Sequence, residues 1–319
     1  EGNGSGNTAA SMTVTLAAVS GVPVIVDWAL SDGTATTADS DYTDANATLT
    51  IAVGSTTGTI NFDVTKDDVF ESNETLTATL SGGTGYTVAG SDLDGTFTIT
   101  NDDTAPVIEW TVADQTALET SGLVTVTAFL NAISALEVTA PYTVGGTSTG
   151  ADHDGAAGTL TIAAGNTSVN YVFSLIDDSD DEGFETAIFT LSSATNATLG
   201  TVNPHTVSIQ DDDIAQLSIC DATEDEGYTL SFDVTLDRAA AADVVFNYAT
   251  SNGTALTGDS DYTAETGTLT IAAGQTSATI TIDTTEDTKY EDDETFTVTL
   301  SVYAGIANAT GTGTIENDD

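Results

Sequence analysis

Between Leu230 and Leu300, apolar residues fall at alternate positions in short runs: Leu230, Phe232, Val234 and Leu236; Val244, Phe246 and Tyr248; Leu269 and Ile271; Ile280 and Ile282; Phe296, Val298 and Leu300. Residues two apart in an extended chain share a face, so each run predicts a β-strand with one face buried. The intervening positions hold mainly Thr, Ser and Asp, and no window carries the helical period. After Ile271 comes Ala-Ala-Gly-Gln-Thr-Ser, and equivalent turns follow Ile51 (with Gly54) and Ile162 (with Gly165). Glycine supplies the turn conformation at low steric cost, so one tight connection is expected three times over.

The whole pattern recurs with a period of about 110 residues, which divides the chain into repeats at 1–103, 104–213 and 214–319. About seven strands per repeat without helices predicts an all-β chain of three tandem immunoglobulin-like antiparallel β-sandwiches. The Cys and Trp landmarks of antibody domains are missing. Linkers are short: Thr104 to Val107 and Ile214 to Leu217 lead straight into the next first strand, which favours an elongated rod over loosely tethered beads. First strands are expected at Val107 to Val112 and Leu217 to Cys220, whereas Glu1 lies just past the place of the corresponding strand in the first repeat. A chain cut from a longer repetitive protein accounts for this; so does a strand donated by a neighbouring copy, making a head-to-tail fibre.

Charge narrows the partners. The net charge is −47, and Lys66, Arg238 and Lys289 are the only Lys and Arg residues. Such a surface cannot displace counterions from nucleic acid or anionic lipid, so neither is an expected partner. No stretch approaches the roughly 20 apolar residues of a membrane helix, and no signal peptide opens the chain, as expected of a mature or partial one. Cys220 excludes an intrachain disulfide framework and reads as a small core or edge residue. A disulfide-free, Lys-poor, Thr-rich β chain suits the outside of a microbe, at the cell surface.

The acids hold register across the repeats. A Glu stands near the first strand (Glu1, Glu119, Glu226), then an Asp (Asp41, Asp152, Asp261), then an acidic loop (Asp67 to Glu74, Asp177 to Glu185, Glu286 to Glu294). Each repeat closes on Asn101-Asp102-Asp103, Asp211-Asp212-Asp213 or Asn317-Asp318-Asp319. Two like charges 4 Å apart cost about 4 kcal/mol at an effective dielectric near 20, so a cluster of six would rival a domain's stability unless it disperses, protonates or binds cations. Calcium accepts six to eight oxygens in irregular geometry, whereas transition metals call for the His and Cys that are scarce here. A solvated acidic face adapted to high salt explains the total charge but not the repeated positions.

The Asp261-Tyr262 pair before the strand Gly267 to Ile271, the acidic loop running into Asp293-Glu294-Thr295-Phe296, and the closing Asn-Asp-Asp together resemble Calx-beta domains over essentially the whole chain. Such domains occur in the regulatory loops of sodium/calcium exchangers and in bacterial surface proteins and adhesins. The resemblance implies an immunoglobulin-like sandwich with calcium ions clustered at one tip. Carried over by position, it implies ligands Glu119, Asp152, Asp177, Asp178, Glu182, Glu185, Asp211, Asp212 and Asp213 in the second repeat. In the third it implies Glu226, Asp261, Glu286, Asp287, Glu291, Glu294, Asp318 and Asp319. In the first it implies Glu1, Asp41, Asp67, Glu71, Glu74, Asp102 and Asp103, with Lys66 in the place of the first loop acid. A built-in ammonium there replaces one ion, so fewer or weaker sites are expected in the first repeat.

Other signals carry less. EF-hand loops are excluded because Asp39, Asp41 and Asp44 lack the required Gly and terminal Glu. Carboxylate pairs suited to a glycosidase arise everywhere among 50 acids, and no aromatic-lined cleft is legible. His153 takes the place of Tyr42 and Tyr262 and reads as a packing aromatic rather than a base. Strand threonines read as ordinary solvent-facing positions. Asn-X-Ser/Thr sites at Asn3, Asn46, Asn73, Asn166, Asn196, Asn252 and Asn308 leave glycosylation open. The expected function is a non-enzymatic, calcium-rigidified segment of an extracellular microbial surface protein, such as an adhesin stalk, matrix protein or filament subunit, with neighbouring copies as partners. The alternative is a calcium sensor or a module binding a carbohydrate or protein ligand.

Overall fold

The alternating runs form the expected strands in the computed structural model, which describes residues 1–87 and 93–318. The second domain is a sandwich of a five-stranded sheet, in the order Gly158–Ile162, Val138–Gly146, Phe184–Leu191, His205–Gln210, Asp114–Leu118, and a four-stranded sheet, in the order Ser168–Ser174, Leu123–Leu130, Val107–Trp110, Thr198–Leu199. The third domain repeats it, with sheets of Ala222–Asp225, Thr310–Glu316, Glu294–Ser301, Val244–Asn252, Thr266–Ile271 and of Ser277–Asp283, Thr229–Leu236, Leu217–Ile219, Ile306–Asn308. Burial follows the period of two: Thr229–Leu236 alternates exposed and buried at every position, and Phe232, Phe246 and Phe296 are fully buried in one core.

The opening strand of a complete domain divides between the two sheets. Val107–Trp110 runs antiparallel to Leu123–Leu130, and Asp114–Leu118 then runs parallel to His205–Gln210 in the opposite sheet. Leu217–Ile219 and Ala222–Asp225 do the same in the third domain. The sequence predicted one antiparallel strand there; the observed crossing covers the edges of both sheets and delivers Glu119 and Glu226 to one end of the sandwich.

Among the described residues the first domain shows no such segment. Its larger sheet is four-stranded, ordered Asn46–Ile51, Val24–Asp32, Glu74–Thr84, Asp94–Ile99, and opposite it Gly6–Thr15 pairs with Thr57–Lys66 alone among the described residues. Clefts of about 190 and 260 Å³ run beside the free edge, floored by Met12, Val14, Ile60 and Leu80 and by Ala10, Val64, Phe97 and Ile99.

Several local readings are confirmed. Gly54, Gly165 and Gly274 take φ of +78°, +78° and +76° in equivalent turns. His153 is buried against the Phe173 ring at 5.8 Å and bridges to Leu175 as Tyr42 bridges to Val64 and Tyr262 to Thr284. Cys220 lies exposed just beyond Leu217–Ile219, outside the core.

Candidate metal centre

Four chain segments meet at one end of each sandwich. The Glu that follows the opening segment, the Asp of the turn between the third and fourth segments, the acidic loop and the closing triplet come together because antiparallel neighbours return to the same edge. In the second domain, single carboxylate oxygens of Glu119, Asp211 and Asp213 lie within 4.8 Å of one another, as do those of Asp152, Glu182 and Glu185, and those of Asp178, Asp180 and Glu182. In the first domain the same holds for Glu1, Asp102 and Asp103, and for Asp41, Glu71 and Glu74. In the third, Glu226, Asp261, Asp287, Glu291 and Glu294 line one small cavity with Thr285 and Ile315.

Backbone hydrogen bonds fix these acids. The turn Asp accepts through Oδ2 from Thr36 N at 2.6 Å for Asp41 and from Leu256 N at 2.7 Å for Asp261, and Asp152 accepts from Thr149 N. Its own carbonyl receives the loop strand: Thr65 N, Ile176 N and Thr285 N donate to Asp41, Asp152 and Asp261 at 2.9, 2.9 and 3.1 Å. Asp211 ties triplet to loop, accepting from Glu182 N at 3.1 Å and Gly183 N at 3.3 Å, while Asp178 N donates to Glu119 Oε1 at 3.2 Å. Glu119, Asp152 and Glu226 are buried.

Burial and mutual repulsion push the carboxyls up. Burial first, then the charges of Glu71 and Asp67, raise Glu1 to about 7. Glu71 is likewise raised to about 7 by burial and by Asp67. Glu74, Glu185 and Glu294 rise to about 8, 7 and 7 through burial and through a hydrogen bond to Asp41, Asp152 and Asp261 respectively. The same Glu is raised beside the same Asp in all three domains, the repulsion that a cation between them would relieve. Glu119 and Glu182 are also raised by burial.

Among the described residues, buried Glu1 Oε2, Glu74 Oε2, Asp103 Oδ2 and Asn101 Oδ1 meet no donor. Acceptors buried without donors, arranged as oxygen-only groups of three, fit a hard divalent cation such as calcium.

The remaining predicted residues fall differently. Asp67 accepts from Val69 N at 2.7 Å. Asp102 and Asp103 also bind Gly2 N and Asn3 Nδ2, at 2.8 and 2.7 Å. Asp177, Asp212 and Asp318 are exposed, and Asp319 lies outside the described residues. Glu286 crosses the backbone at Gly227, where a Cβ would come within 2.6 Å of Glu286 Oε2; Gly227, at φ +73°, makes room for it. Lys66 crosses Gly2 in the same way, but among the described residues its ammonium makes no ion pair within 4.0 Å. The expectation that it replaces an ion therefore lacks the required contact. The bases that do meet predicted ligands are Lys289, 2.6 Å from Glu291, and Arg238, 3.7 Å from Asp213.

Sequence reasoning passed over Asp180 and Asn101. Asp180 has Val69 and Lys289 as counterparts, so no register marked it. Asn101 replaces the acid Asp211, and its buried carbonyl oxygen was hidden by its lack of charge.

Comparison with known proteins agrees with this architecture. The Calx-beta domain model matches residues 5–103, 101–213 and 214–317. Among solved structures, the chain is similar to CBD12 from CALX1.2 (19% identity, 66% of this chain and 99% of that one, TM-score 0.33). It is also similar to the calcium binding domain CBD12 of CALX1.1 (21%, 61% and 78%, TM-score 0.33) and to the apo form of the Calx CBD1 domain (23%, 34% and 100%, TM-score 0.33). No curated protein matches significantly. With all three repeats matched over nearly their full length, the chain belongs to the Calx-beta domain family.

Proposed function

We propose that the chain is a calcium-rigidified structural segment of an extracellular microbial surface protein, without enzymatic activity. The observation that carries calcium binding is the recurrence at one end of each domain of an oxygen-only carboxylate group built around the same Glu and Asp. Glu1, Asp102 and Asp103, with Asp41, Glu71 and Glu74, would hold the ion or ions of the first domain, and their equivalents those of the others. Bound calcium cancels repulsion at the domain tip.

Rigidity follows from where those tips lie. The loop that carries Glu71 also carries Phe70, whose carbonyl accepts from Ala135 N of the second domain at 3.0 Å. The loop that carries Glu182 also carries Asp181, whose carboxylate accepts from Ala215 N and Ala241 N of the third at 3.3 Å each. An ion that orders the loop thereby orders the junction. An added strand on the open edge of Gly6–Thr15, donated head to tail, would join such rods into a fibre. Small-angle scattering across a calcium titration tests the reading: a stiff, extended particle that becomes flexible only in chelator is expected, and an identical profile in both, with no calcium bound, overturns it.

A further inference from the structure

We infer that Asn46, at the start of the outermost strand Asn46–Ile51 of the first domain, is the acceptor of an N-linked oligosaccharide. The inference rests on the extracellular reading above, because the transfer takes place on the outer side of the cytoplasmic membrane, and it adds a covalent modification to that reading.

The fold sorts the seven Asn-X-Ser/Thr sequences of the chain. Five hold the Asn amide in place. Asn3 Nδ2 donates to Asp103 at 2.7 Å, and Asn196 Nδ2 and Asn308 Nδ2 to the carbonyls of Glu137 and Ile219 at 2.8 Å each. Asn73 Oδ1 accepts from Asn101 N at 3.1 Å, and Asn252 Oδ1 from the Tyr262 hydroxyl at 2.6 Å. Asn46 and Asn166 are exposed and make no side-chain hydrogen bond among the described residues. Asn166 follows Gly165, whose N–H donates to the Ser134 carbonyl, and Ser134 in turn meets Phe70 of the first domain. A neighbouring domain therefore stands beside Asn166, whereas Asn46 lies on an outer sheet edge. The equivalent strand Gly158–Ile162 is outermost in the second domain too, which has a neighbour at each end, so the exposure belongs to the sandwich itself.

The flanking residues select Asn46 a second time. An acid two residues before the Asn, which bacterial oligosaccharyl transferases also read, occurs at Glu1, Asp44 and Glu71. Glu1 and Glu71 are drawn into the carboxylate groups of the domain tip. Asp44 is exposed and makes no hydrogen bond or ion pair among the described residues. Thr48, two places on, is exposed as well, and its hydroxyl donates to Asp27 at 3.0 Å. Asp44-Ala45-Asn46-Ala47-Thr48 thus presents carboxylate, amide and hydroxyl where a loop joins the last residue pair of a ladder, the part of a strand that opens most readily. Asp27, Trp28 and Ser81 line with residues 46–48 a depression of about 400 Å³ beside the amide, with room for the first sugar.

In the transfer, Asn46 Nδ2 bonds the anomeric carbon of the oligosaccharide as the bond from that carbon to a lipid pyrophosphate oxygen breaks. The pyrophosphate leaves with the electron pair, and the amide gives up one proton to solvent. A glycan here shields the free N–H and C=O groups of an edge strand, which otherwise invite pairing with other chains.

The test incubates the purified, folded chain in calcium with a bacterial oligosaccharyl transferase and a lipid pyrophosphate-linked oligosaccharide, and reads its intact mass. One added glycan is expected, lost in Asn46→Gln and kept in Asn166→Gln. Asp44→Ala should slow the transfer about tenfold, the scale of one hydrogen bond to a charged group. Synthetic peptides spanning Asn3 and Asn73, free of the fold, should accept the glycan that the folded chain refuses there. An unmodified folded chain, or equal product from Asn46→Gln, overturns the inference. Peptide mapping of the chain from its own cells is read alongside: a bare Asn46 on exported chain rejects the site and leaves the extracellular reading intact. A chain confined to the cytoplasm rejects that reading, while the transfer assay still decides the acceptor.

Discussion

The first and second domains carry comparable acidic tips on unequal sandwiches. In the second, Ile108 and Trp110 of the opening segment sit in a single continuous core, with Trp110 packed edge-on to Phe189 at 6.2 Å. In the first, which shows no such segment among the described residues, the buried residues separate into one group around Trp28, Phe62 and Leu76 and a smaller one of Val24, Val26 and Ile51. Yet Glu1 stands beside Asp102 and Asp103 much as Glu119 stands beside Asp211 and Asp213. The strand returns and the acidic loop bring the carboxylates together in both domains, and in the second the opening segment also joins the core. Site and core are separable, and each can be perturbed without the other.

The largest separation should come from calcium itself. At a free concentration a hundred times the dissociation constant, each site adds about 2.7 kcal/mol, so a domain holding two gains about 5 kcal/mol. The second domain has Asp180 and Asp211 where the first has Val69 and Asn101, and should gain more. Calorimetry with and without chelator should show the second domain's transition moving further than the first's. Equal movement would mean that Asn101, through its buried oxygen, serves as well as an acid.

Next in size is the loss of one site. Asp152→Asn keeps an oxygen for the Thr149 N–H but removes the charge shared with Glu185 and Glu182. Calcium stabilisation of the second domain should fall by about 2.7 kcal/mol under the same conditions, while calcium-free stability holds or rises as repulsion is relieved. Urea unfolding in calcium and in chelator separates the two effects. Asp41→Asn should reproduce the change in the first domain only.

Acidity gives a smaller effect, present in chelator and removed by calcium. The carboxyls of Glu1, Glu71, Glu74, Glu185 and Glu294 are raised from 4.5 to about 7 or 8 in the folded chain. A raised acid stabilises the fold fully below its unfolded value and loses that contribution as pH rises through the folded one. In chelator, melting temperature should therefore fall between about pH 5 and pH 8. In calcium it should stay nearly level over the same window, because the bound ion takes the place of those protons and folded and unfolded chains then hold equally few. A decline in both would place the raised carboxyls outside the calcium sites.

The strands, the threefold repeat and the acidic register were legible because each is a periodic signal: two residues for a buried face, about 110 for a domain. What escaped lacked a period or a charge. The crossing of the opening segment between sheets was read as one strand, since Val107 to Val112 continues the alternation until Ala113 turns away. Asp180 had no acidic counterpart, and Asn101 had no charge. Lys66 was read by its ammonium, whereas its stem over Gly2 decides where it goes.

The smallest effect tests the core side of the comparison. In the second domain the segment 105–118 covers both sheet edges, placing Ile108 and Trp110 inside. Gly6–Thr15 offers the first domain's counterpart of the strand that receives it, with Met12 and Val14 half-buried along the cleft. A synthetic peptide of residues 105–118, added in trans, should enter that cleft, because alternate apolar residues meet its floor while the backbone completes the ladder. At ten times its dissociation constant it should stabilise the first domain by about 1.4 kcal/mol and leave the other two unmoved. Replacing Trp110 of the peptide by Asp should abolish the shift. If the first domain gains nothing from the peptide, its two cores are self-sufficient and the opening segment serves only to connect domains. A gain equal in calcium and in chelator would show that edge closure and ion binding act independently, as the separate construction of core and charged tip requires.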